Sequence, residues 1–206
     1  MAVATAPQQA RWVVDWEGYL SLPEDLTHYE IIDGEVKPLA TPTLKHQEVM
    51  LTLAEKLRQH TRSRQLGKVL AAPFDFVIRR APVRTRQPDL FFLSRERLRD
   101  WEQLQNQPRL EVAPDLVIEI LSPSDSYSYW SEKLQDYHAL GVPEVWAVDI
   151  EKRAIEVLAR EASGYRTVGW FSGEQAVVSQ VLVGLALTPA QVFSVLDELA
   201  QGEQTV

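Results

Sequence analysis

The run Leu116–Leu121 (Leu-Val-Ile-Glu-Ile-Leu) constrains the fold of this chain more than any other segment. Five of its six residues are apolar, which is typical of a central β-strand buried on both faces. The exception is Glu119, and burying an unpaired carboxylate is costly. A metal ion, a lysine or protonation must therefore compensate Glu119. A structural ion pair would be sufficient, but the pattern favours a functional carboxylate.

The segment after this strand carries a second polar residue in an apolar setting. Residues 128–140 are predicted to form a helix that ends at Gly141, a residue type favoured after helix C-termini. The apolar arc of this helix consists of Trp130, Leu134, Tyr137 and Leu140. Lys133 falls inside this arc and Asp136 falls outside it. Lys133 could turn toward the end of the Glu119 strand, or its stem could run along the core edge with its ammonium group in water.

A histidine occupies the apolar face of another predicted helix. Residues 43–60 have helical periodicity, and Thr43 is a suitable N-cap. His46 shares the face of Val49 and Leu53. A lone histidine in such a position is more often a core residue than a ligand, so both interpretations stay open.

Two Pro-Asp pairs supply further candidate carboxylates. Asp89 opens a predicted strand over residues 89–93, whereas Asp115 lies four residues before Glu119. Along an extended chain this separation is about 13 Å, too far for Asp115 and Glu119 to hold one metal ion. Asp89, on a neighbouring strand, is the better partner for Glu119.

The remaining elements indicate one α/β (α+β) domain with a mixed central β-sheet flanked by helices. The predicted elements are a helix over 12–22 capped by Asp15, a hairpin at Asp33-Gly34, a strand over 69–78, a helix over 94–105 capped by Ser94, a turn at 122–125, strands over 145–149, 155–158, 165–171 and 176–183, and a helix over 189–199 capped by Thr188. We expect residues 1–11 to be disordered, residues 12–200 to form a single domain, and residues 201–206 to be a tail.

Composition excludes several classes of protein. Without cysteine, the chain has neither a disulfide scaffold nor a thiolate zinc site. It also lacks a Walker A loop, a Gly-x-Gly-x-x-Gly loop, a Gly-x-Ser-x-Gly elbow and a His-Glu-x-x-His motif. We find neither a signal peptide nor an apolar run long enough to span a membrane. A cytoplasmic protein without membrane contact is therefore expected, and its carboxylates favour Mg²⁺ or Mn²⁺.

The charge distribution argues against broad, nonspecific binding of nucleic acid. The formal net charge is −8 and the pI is about 5.1, whereas nonspecific binders are usually basic. Residues 79–86 nevertheless contain four arginines, Arg79, Arg80, Arg84 and Arg86. They fit a solvated loop or edge strand, or a rim that contacts phosphate if it borders an active site.

Taken in order along the chain, these residues resemble a known family. The matching segments are Tyr29-Glu-Ile-Ile-Asp-Gly34, His46, Pro88-Asp89, Pro114-Asp-Leu-Val-Ile-Glu-Ile-Leu-Ser-Pro-Ser124, Lys133, Tyr137 and Gly141-Val-Pro-Glu-Val-Trp146. Over about residues 15–195, this pattern is similar to the Uma-type restriction endonucleases of the PD-(D/E)XK nuclease superfamily. The resemblance implies a restriction-endonuclease-like αβββαβ core whose acidic site binds a divalent metal and cleaves phosphodiester bonds of DNA.

The resemblance also assigns roles to individual residues. Asp89 and Glu119 would be the metal-binding acids, with Mg²⁺ or Mn²⁺ as cofactor, and Lys133 would be the catalytic lysine. Glu30 and His46 match polar positions that the family tends to keep around its site, so both are candidate catalytic residues.

Two positions depart from the pattern of this superfamily. The motif places its lysine two residues after the second acid, where this chain has Leu121, so Lys133 would supply the ammonium group from the following helix. Tyr129 stands where members of the family often have an aspartate.

Two other functions remain open. The chain could be a degenerate, non-catalytic relative that binds nucleic acid and keeps its polar residues as a structural network. It could also be a homo-oligomeric interaction module. The apolar run over residues 176–187 could serve a dimer interface, so we expect a homodimer, although a core strand would explain the run equally well.

Overall fold

The computed structural model describes residues 11–23, 26, 28–122 and 126–198. Its helices are α1 (Trp16–Leu20), α2 (Leu44–Ser63), α3 (Trp101–Leu104), α4 (Tyr127–Leu140), α5 (Pro189–Phe193) and α6 (Val195–Glu198). Its strands are β1 (Tyr29–Ile32), β2 (Glu35–Pro38), β3 (Gly67–Ala71), β4 (Asp75–Arg80), β5 (Val83–Arg86), β6 (Leu90–Ser94), β7 (Arg109–Leu110), β8 (Leu116–Leu121), β9 (Glu144–Asp149), β10 (Ala154–Glu161) and β11 (Gly164–Ser172). Residues 1–10, most of the predicted turn at 122–125, and the predicted tail lie outside the described residues.

A six-stranded mixed sheet forms the centre of the protein. Its strand order is β11-β10-β9-β8-β6-β3, and its one parallel pair, β8–β9, is connected through α4. The other neighbours in this sheet are antiparallel. Two smaller sheets accompany it: the hairpin β1-β2, and the three strands β5-β4-β7. The predicted fold class, a mixed sheet flanked by helices, is confirmed.

The two faces of β8 pack against different helices. Because side chains alternate along a strand, Leu116, Ile118 and Ile120 share one hydrophobic cluster, which also contains Val49, Leu53 and Leu57 of α2. Val117 belongs instead to a cluster with Tyr137 of α4. Glu119 has the same parity as Val117, so its side chain lies on the α4 face.

Three of the four predicted helix N-caps, the hairpin turn at Asp33-Gly34 and the helix end at Gly141 are confirmed, whereas α3 has Asp100 and not the predicted Ser94 at its N-cap. The side chains of Asp15, Thr43 and Thr188 accept backbone N–H groups at the starts of α1, α2 and α5. Asp33-Gly34 forms the tight turn of the β1-β2 hairpin, with positive φ at both residues. Gly141 ends α4 with a φ of 94°. These features depend on a few adjacent residues, and for this reason they can be recognised without tertiary information.

Four predicted elements are wrong in extent. The helix predicted over 12–22 begins only at residue 16, because Val14 N donates to the carbonyl oxygen of Gly34 and Val13 bridges to Glu35. The strand predicted over 69–78 is divided into β3 and β4 around Pro73, which has no N–H to donate to a ladder. Within 94–105 only the four residues of α3 are helical. The helix predicted over 189–199 is two short helices, α5 and α6, and residue 199 lies outside the described part of the chain.

The strand predicted over residues 176–183 is also wrong. This segment is irregular and buries Val177 and Leu182 in the α2-side cluster. Its backbone is fixed by the buried Glu144, whose carboxylate accepts hydrogen bonds from Ser179 Oγ at 2.6 Å and from Gln180 N at 2.6 Å. The apolar run therefore reflects core packing in a loop, which has the same hydrophobic signature as a buried strand.

None of the helices in the described part of the chain combines the length and the hydropathy that crossing a membrane requires.

Candidate functional site

The candidate site lies where β8 ends and β6 begins. These strands are antiparallel with Leu90 opposite Ile118, and continuing the register by one residue brings Asp89 opposite Glu119. The Asp89 carboxylate turns toward β8, where its Oδ2 accepts a hydrogen bond from Ile120 N at 2.7 Å. The strand pairing thus places the two predicted metal-binding acids side by side.

Helix α4 supplies the partners of Glu119. Lys133 Nζ donates to Glu119 Oε2 at 2.9 Å, and the Tyr137 hydroxyl donates to Glu119 Oε1. Lys133 and Tyr137 are four residues apart, so they lie on the same face of the helix. The periodicity argument that turned Lys133 inward agrees with the structure, in which Lys133 and Glu119 are both buried.

Burial and neighbouring charges set the protonation of this pair. Burial raises the pKa of Glu119 to about 7, and the Asp89 carboxylate adds to the rise, although Lys133 opposes it. Burial alone would lower the pKa of Lys133, but Glu119 and Glu30 raise it well above its usual value. Lys133 is therefore a permanent cation beside a carboxylate that titrates near neutral pH.

His46 lies at the same end of the sheet, in the first turn of α2. Its Nε2 is 3.4 Å from Asp89 Oδ2. Burial lowers the pKa of His46, but hydrogen bonding to Asp89 and the charges of Asp89 and Glu119 more than offset this, so the net shift is upward. Because the imidazole of His46 faces Asp89 and Glu119, the structure favours a site residue over a core histidine for His46.

Glu30 of β1 is surrounded by donors. Its Oε2 accepts from Arg86 Nη1 at 2.6 Å and from the Tyr129 hydroxyl at 2.9 Å, and its Oε1 accepts from Gln87 N at 3.2 Å. Lys133 Nζ lies 3.7 Å from Oε1. Burial would raise the pKa of Glu30, but Lys133, Arg86 and Tyr129 lower it below its usual value. Glu30 is thus a buried anion that lies near the same ammonium group that Glu119 binds.

The arginines of β5 extend this arrangement away from Glu30. Arg86 Nε and Arg84 Nε each donate at 2.6 Å to one oxygen of Asp136 on α4. Together, six buried residues of alternating charge form what we call the buried charge network: Glu119, Lys133, Glu30, Arg86, Asp136 and Arg84.

The predictions for the four arginines need correction. Arg84 and Arg86 are neither solvated nor a rim for phosphate, because they are buried in ion pairs with acids of the protein. Only Arg79 and Arg80 are exposed, and they pair with Asp33 and Glu111. Arg84 and Arg86 lie on β5, an edge strand of its sheet, but are buried, whereas the exposed Arg79 and Arg80 lie on its central strand, β4, so the edge-strand interpretation is correct in position for only two of the four.

The residues present fit a divalent cation bound through oxygen. Asp89 and Glu119 offer carboxylate oxygens, each with more than one lone pair, and a bound cation would offset the burial and the repulsion from Asp89 that raise the pKa of Glu119. Mg²⁺ is usually held by one or two carboxylates and completed by water. In the described residues no group of three or more His, Cys, Asp or Glu side chains is placed to hold a metal ion.

All five predicted site residues, Glu30, His46, Asp89, Glu119 and Lys133, belong to this one region. Asp115 does not, because its carboxylate accepts from Ser94 N at 2.7 Å and pairs with Arg97. Sequence reasoning did not find Arg84, Arg86 and Asp136 as members of the network. The one available signal in the sequence was the excess of arginine in residues 79–86.

Comparisons with known proteins identify a family and a common fold. The model of the Uma2 family, described as "Putative restriction endonuclease", matches residues 16–190. Among solved structures, the chain is similar to one described as "a putative nuclease belonging to DUF820 from Anabaena variabilis ATCC 29413". The two share 18% sequence identity with a TM-score of 0.71, over 89% of this chain and 99% of the other. This likeness shows the common fold. No curated protein matches the chain.

Proposed function

The chain belongs to the Uma2 family, and from this membership we propose that it is a Mg²⁺- or Mn²⁺-dependent endonuclease that hydrolyses phosphodiester bonds of DNA. The observation that carries the proposal is the buried Glu119–Lys133 pair beside Asp89. A buried ion pair is often no more stabilising than apolar residues of similar volume. A role in chemistry gives a reason for keeping an acid that titrates near pH 7 next to a permanent cation.

Each site residue receives a role that its surroundings support. Asp89 and Glu119 would hold the metal ion, which, when bound, lowers the pKa of a water molecule and neutralises charge on the phosphate. Lys133 stays protonated and orients the attacking water or stabilises negative charge developing on the phosphate. His46 transfers a proton at the edge of the site. Glu30 positions Lys133, because its own oxygens are engaged by donors from three sides.

Plasmid cleavage tests this proposal. Supercoiled plasmid is incubated with the full chain and Mg²⁺ or Mn²⁺, in parallel with Glu119→Ala, Lys133→Ala and the double variant. Glu111→Ala and Lys152→Ala make the same chemical changes in exposed surface ion pairs and are the matched controls. We expect nicking or linearisation by the wild type and the controls only. Equal cleavage by the double variant would exclude this site as the source of activity.

Metal binding is tested separately by calorimetry. Glu119→Ala should abolish binding of Mn²⁺, because it removes one of two carboxylate ligands. Unchanged Mn²⁺ affinity in this variant would contradict the assignment of Glu119 as a ligand.

A second candidate is a non-catalytic relative that keeps the fold. It is favoured by the engagement of both Glu119 oxygens with Lys133 and Tyr137, which can serve a purely structural purpose. Thermal denaturation separates the two candidates, since a cation that binds only the folded protein raises its melting temperature. No rise with Mn²⁺, together with no cleavage, would favour the non-catalytic relative.

We also propose that the protein forms a homodimer. Val178 and Val183, in the irregular apolar segment, are 54% and 71% exposed, and they are candidates for the contact. Sedimentation equilibrium would test this, and a monomer over the full concentration range would exclude it.

A further inference from the structure

One segment of this acidic chain carries positive charge without any acid. The sequence as a whole has 29 Asp and Glu residues against 21 Lys and Arg residues. Residues 56–74 nevertheless contain five Lys or Arg residues and no Asp or Glu. The proposed cleavage chemistry uses none of them.

The fold brings a further arginine to this segment. Arg95 directly follows β6, and its backbone N donates to the carbonyl oxygen of Leu66 at 2.8 Å. Its Nη1 also donates to Gln65 Oε1 at 3.4 Å. The turn between α2 and β3 therefore lies beside the chain that leaves β6. We call the exposed cations at this end of the protein the basic surface: Arg58, Arg62, Arg64, Lys68 and Arg95.

The basic surface differs from most other exposed cations in that its charges are not neutralised. Elsewhere, exposed arginines and lysines form ion pairs with acids, as at Arg79, Arg80, Arg99, Lys152, Arg153 and Arg166. Among the described residues, no ion pair includes a member of the basic surface. Arg58 and Arg62 are also one helical turn apart, a spacing at which like charges destabilise a helix. This unneutralised charge favours binding of an anionic partner.

The composition of the basic surface favours a phosphate backbone over a protein as that partner. None of the large apolar side chains exposed in the described residues lies within 56–68 or 94–100, whereas the centre of a protein interface is usually apolar. The exposed side chains of Gln59, Ser63 and Gln65 lie among the cations and can donate hydrogen bonds to phosphate oxygens. Four of the five cations are arginines, whose planar guanidinium group matches the geometry of a phosphate.

Helix α2 connects the basic surface to the candidate site. His46 lies in its first turn and Arg62 in its last, and these 16 residues span about 24 Å at the rise of an α-helix. Since DNA rises about 3.4 Å per base pair, this distance corresponds to about seven base pairs. Glu48 and Glu55 are exposed on the helix between the two ends and repel phosphate. We therefore expect contacts at the two ends of α2 and not along its length.

We propose that the basic surface binds the phosphate backbone of double-stranded DNA and holds the substrate while the candidate site acts on it. The choice of DNA rests on the proposed nuclease function, whereas the presence of a surface for anions does not. Such a surface reconciles DNA binding with a net charge of −8, because a few local cations make the phosphate contacts. It also supplies contacts that Arg84 and Arg86 cannot make from their buried ion pairs.

Fluorescence anisotropy with the full chain and a labelled duplex of about 20 base pairs tests the proposal, since this length covers both ends of α2. EDTA is present so that no cleavage occurs, and salt is varied from about 50 mM to about 200 mM. The double variant Arg58→Gln, Arg62→Gln should bind at least about tenfold more weakly, and its plot of log affinity against log salt should be shallower by about 2, because two phosphate contacts are lost. The matched control is Arg153→Gln, Arg166→Gln, which removes the same charge from exposed ion pairs elsewhere and should leave the slope unchanged.

The other outcomes separate this proposal from its rivals. Absence of DNA binding at the lowest salt, or equal losses in the two double variants, would overturn it. Competition by poly-L-glutamate as strong as that by unlabelled duplex would also overturn it and would indicate an acidic protein as partner. In plasmid cleavage, the Arg58→Gln, Arg62→Gln variant should have a higher KM with little change in kcat. DNA binding that depends on the basic surface, without cleavage by the wild type, would support the surface and count against the nuclease function alone.

Discussion

Replacing Glu119 by glutamine should change how the stability of the protein depends on pH. In the folded protein burial raises the pKa of Glu119 from 4.5 to about 7, and in the unfolded chain the carboxyl returns to its usual value. Between these values the folded state holds a proton that the unfolded state has released. Stability therefore decreases as pH rises through this window, and the loss is complete above the folded pKa.

The size of the effect follows from the shift. Since a tenfold change in proton affinity is worth about 1.4 kcal/mol, the rise of the Glu119 pKa from 4.5 to about 7 corresponds to roughly 3 kcal/mol, and most of this is lost between about pH 5 and about pH 8. Glu119 is buried, so solvent screening does not reduce this value appreciably. Glutamine does not titrate, so the stability of Glu119→Gln relative to the wild type should increase by this amount across the interval.

Urea unfolding at a series of pH values measures the difference directly. The control is Glu102→Gln, which makes the same chemical change on the exposed surface of α3. A difference between wild type and Glu119→Gln that stays constant with pH, or decreases as pH rises, would refute the argument that burial governs Glu119. Mn²⁺ should stabilise the wild type more above about pH 7 than below, because a metal ion binds the ionised carboxylate.

Three further predictions concern other parts of the structure. Lys133→Ala should leave Mn²⁺ bound, as measured by calorimetry, but should stop plasmid cleavage. Arg86→Met should lower the free energy of unfolding by about 3–5 kcal/mol, since it leaves two buried carboxylates without their shared cation. Gly67→Ala should destabilise the protein by about 1–3 kcal/mol more than Gly164→Ala. Both glycines have nearly the same positive φ, 154° and 153°, but only at Gly67 would the added Cβ collide with the backbone, at the carbonyl oxygen of Leu93.

These variants have controls and contrary outcomes of their own. Normal cleavage by Lys133→Ala would remove Lys133 from the mechanism. Arg80→Met removes an exposed arginine that also pairs with an acid, so its effect on urea unfolding should be clearly smaller than that of Arg86→Met. Equal effects of Arg80→Met and Arg86→Met would mean that burial of the network contributes nothing to the free energy of unfolding. Equal melting temperatures for Gly67→Ala and Gly164→Ala would show that the backbone near Gly67 shifts to accept the added Cβ without a loss of stability.

Much of the fold could be predicted because its signals are local. The β8 run, the inward position of Lys133 and the end of α4 at Gly141 each follow from a few consecutive residues and a known periodicity. Where local signals are ambiguous, prediction failed. The segment 176–183 is apolar in the manner of a strand, but it is irregular, and the buried Glu144 satisfies its backbone from a distant strand.

From the sequence, the site residues that could be predicted most directly are those that individually interrupt an apolar pattern. Glu119 and Lys133 are conspicuous because each interrupts an apolar pattern. Arg86 and Asp136 interrupt none, and their partners are far away in sequence: Arg86 is 56 residues from Glu30 and 50 from Asp136. Periodicity in one element does not reveal which charges meet across such separations. Helical periodicity places Asp136 outside the apolar arc of its helix, although Asp136 is buried.

The contacts of Tyr129 with the buried charge network explain why a tyrosine fits at a position that departs from the family pattern. An aspartate there would add another acid beside the buried Glu30, and its burial would require a further cation. The tyrosine instead donates its hydroxyl to Glu30 Oε2, while its ring lies 5.3 Å from Lys133 Nζ and 5.5 Å from the guanidinium carbon of Arg86. These contacts stabilise the two cations that pair with Glu30 through the face of the ring. Tyr129 therefore adds contacts to Glu30, Lys133 and Arg86 without adding negative charge, so the absence of an aspartate here leaves the buried charge network intact.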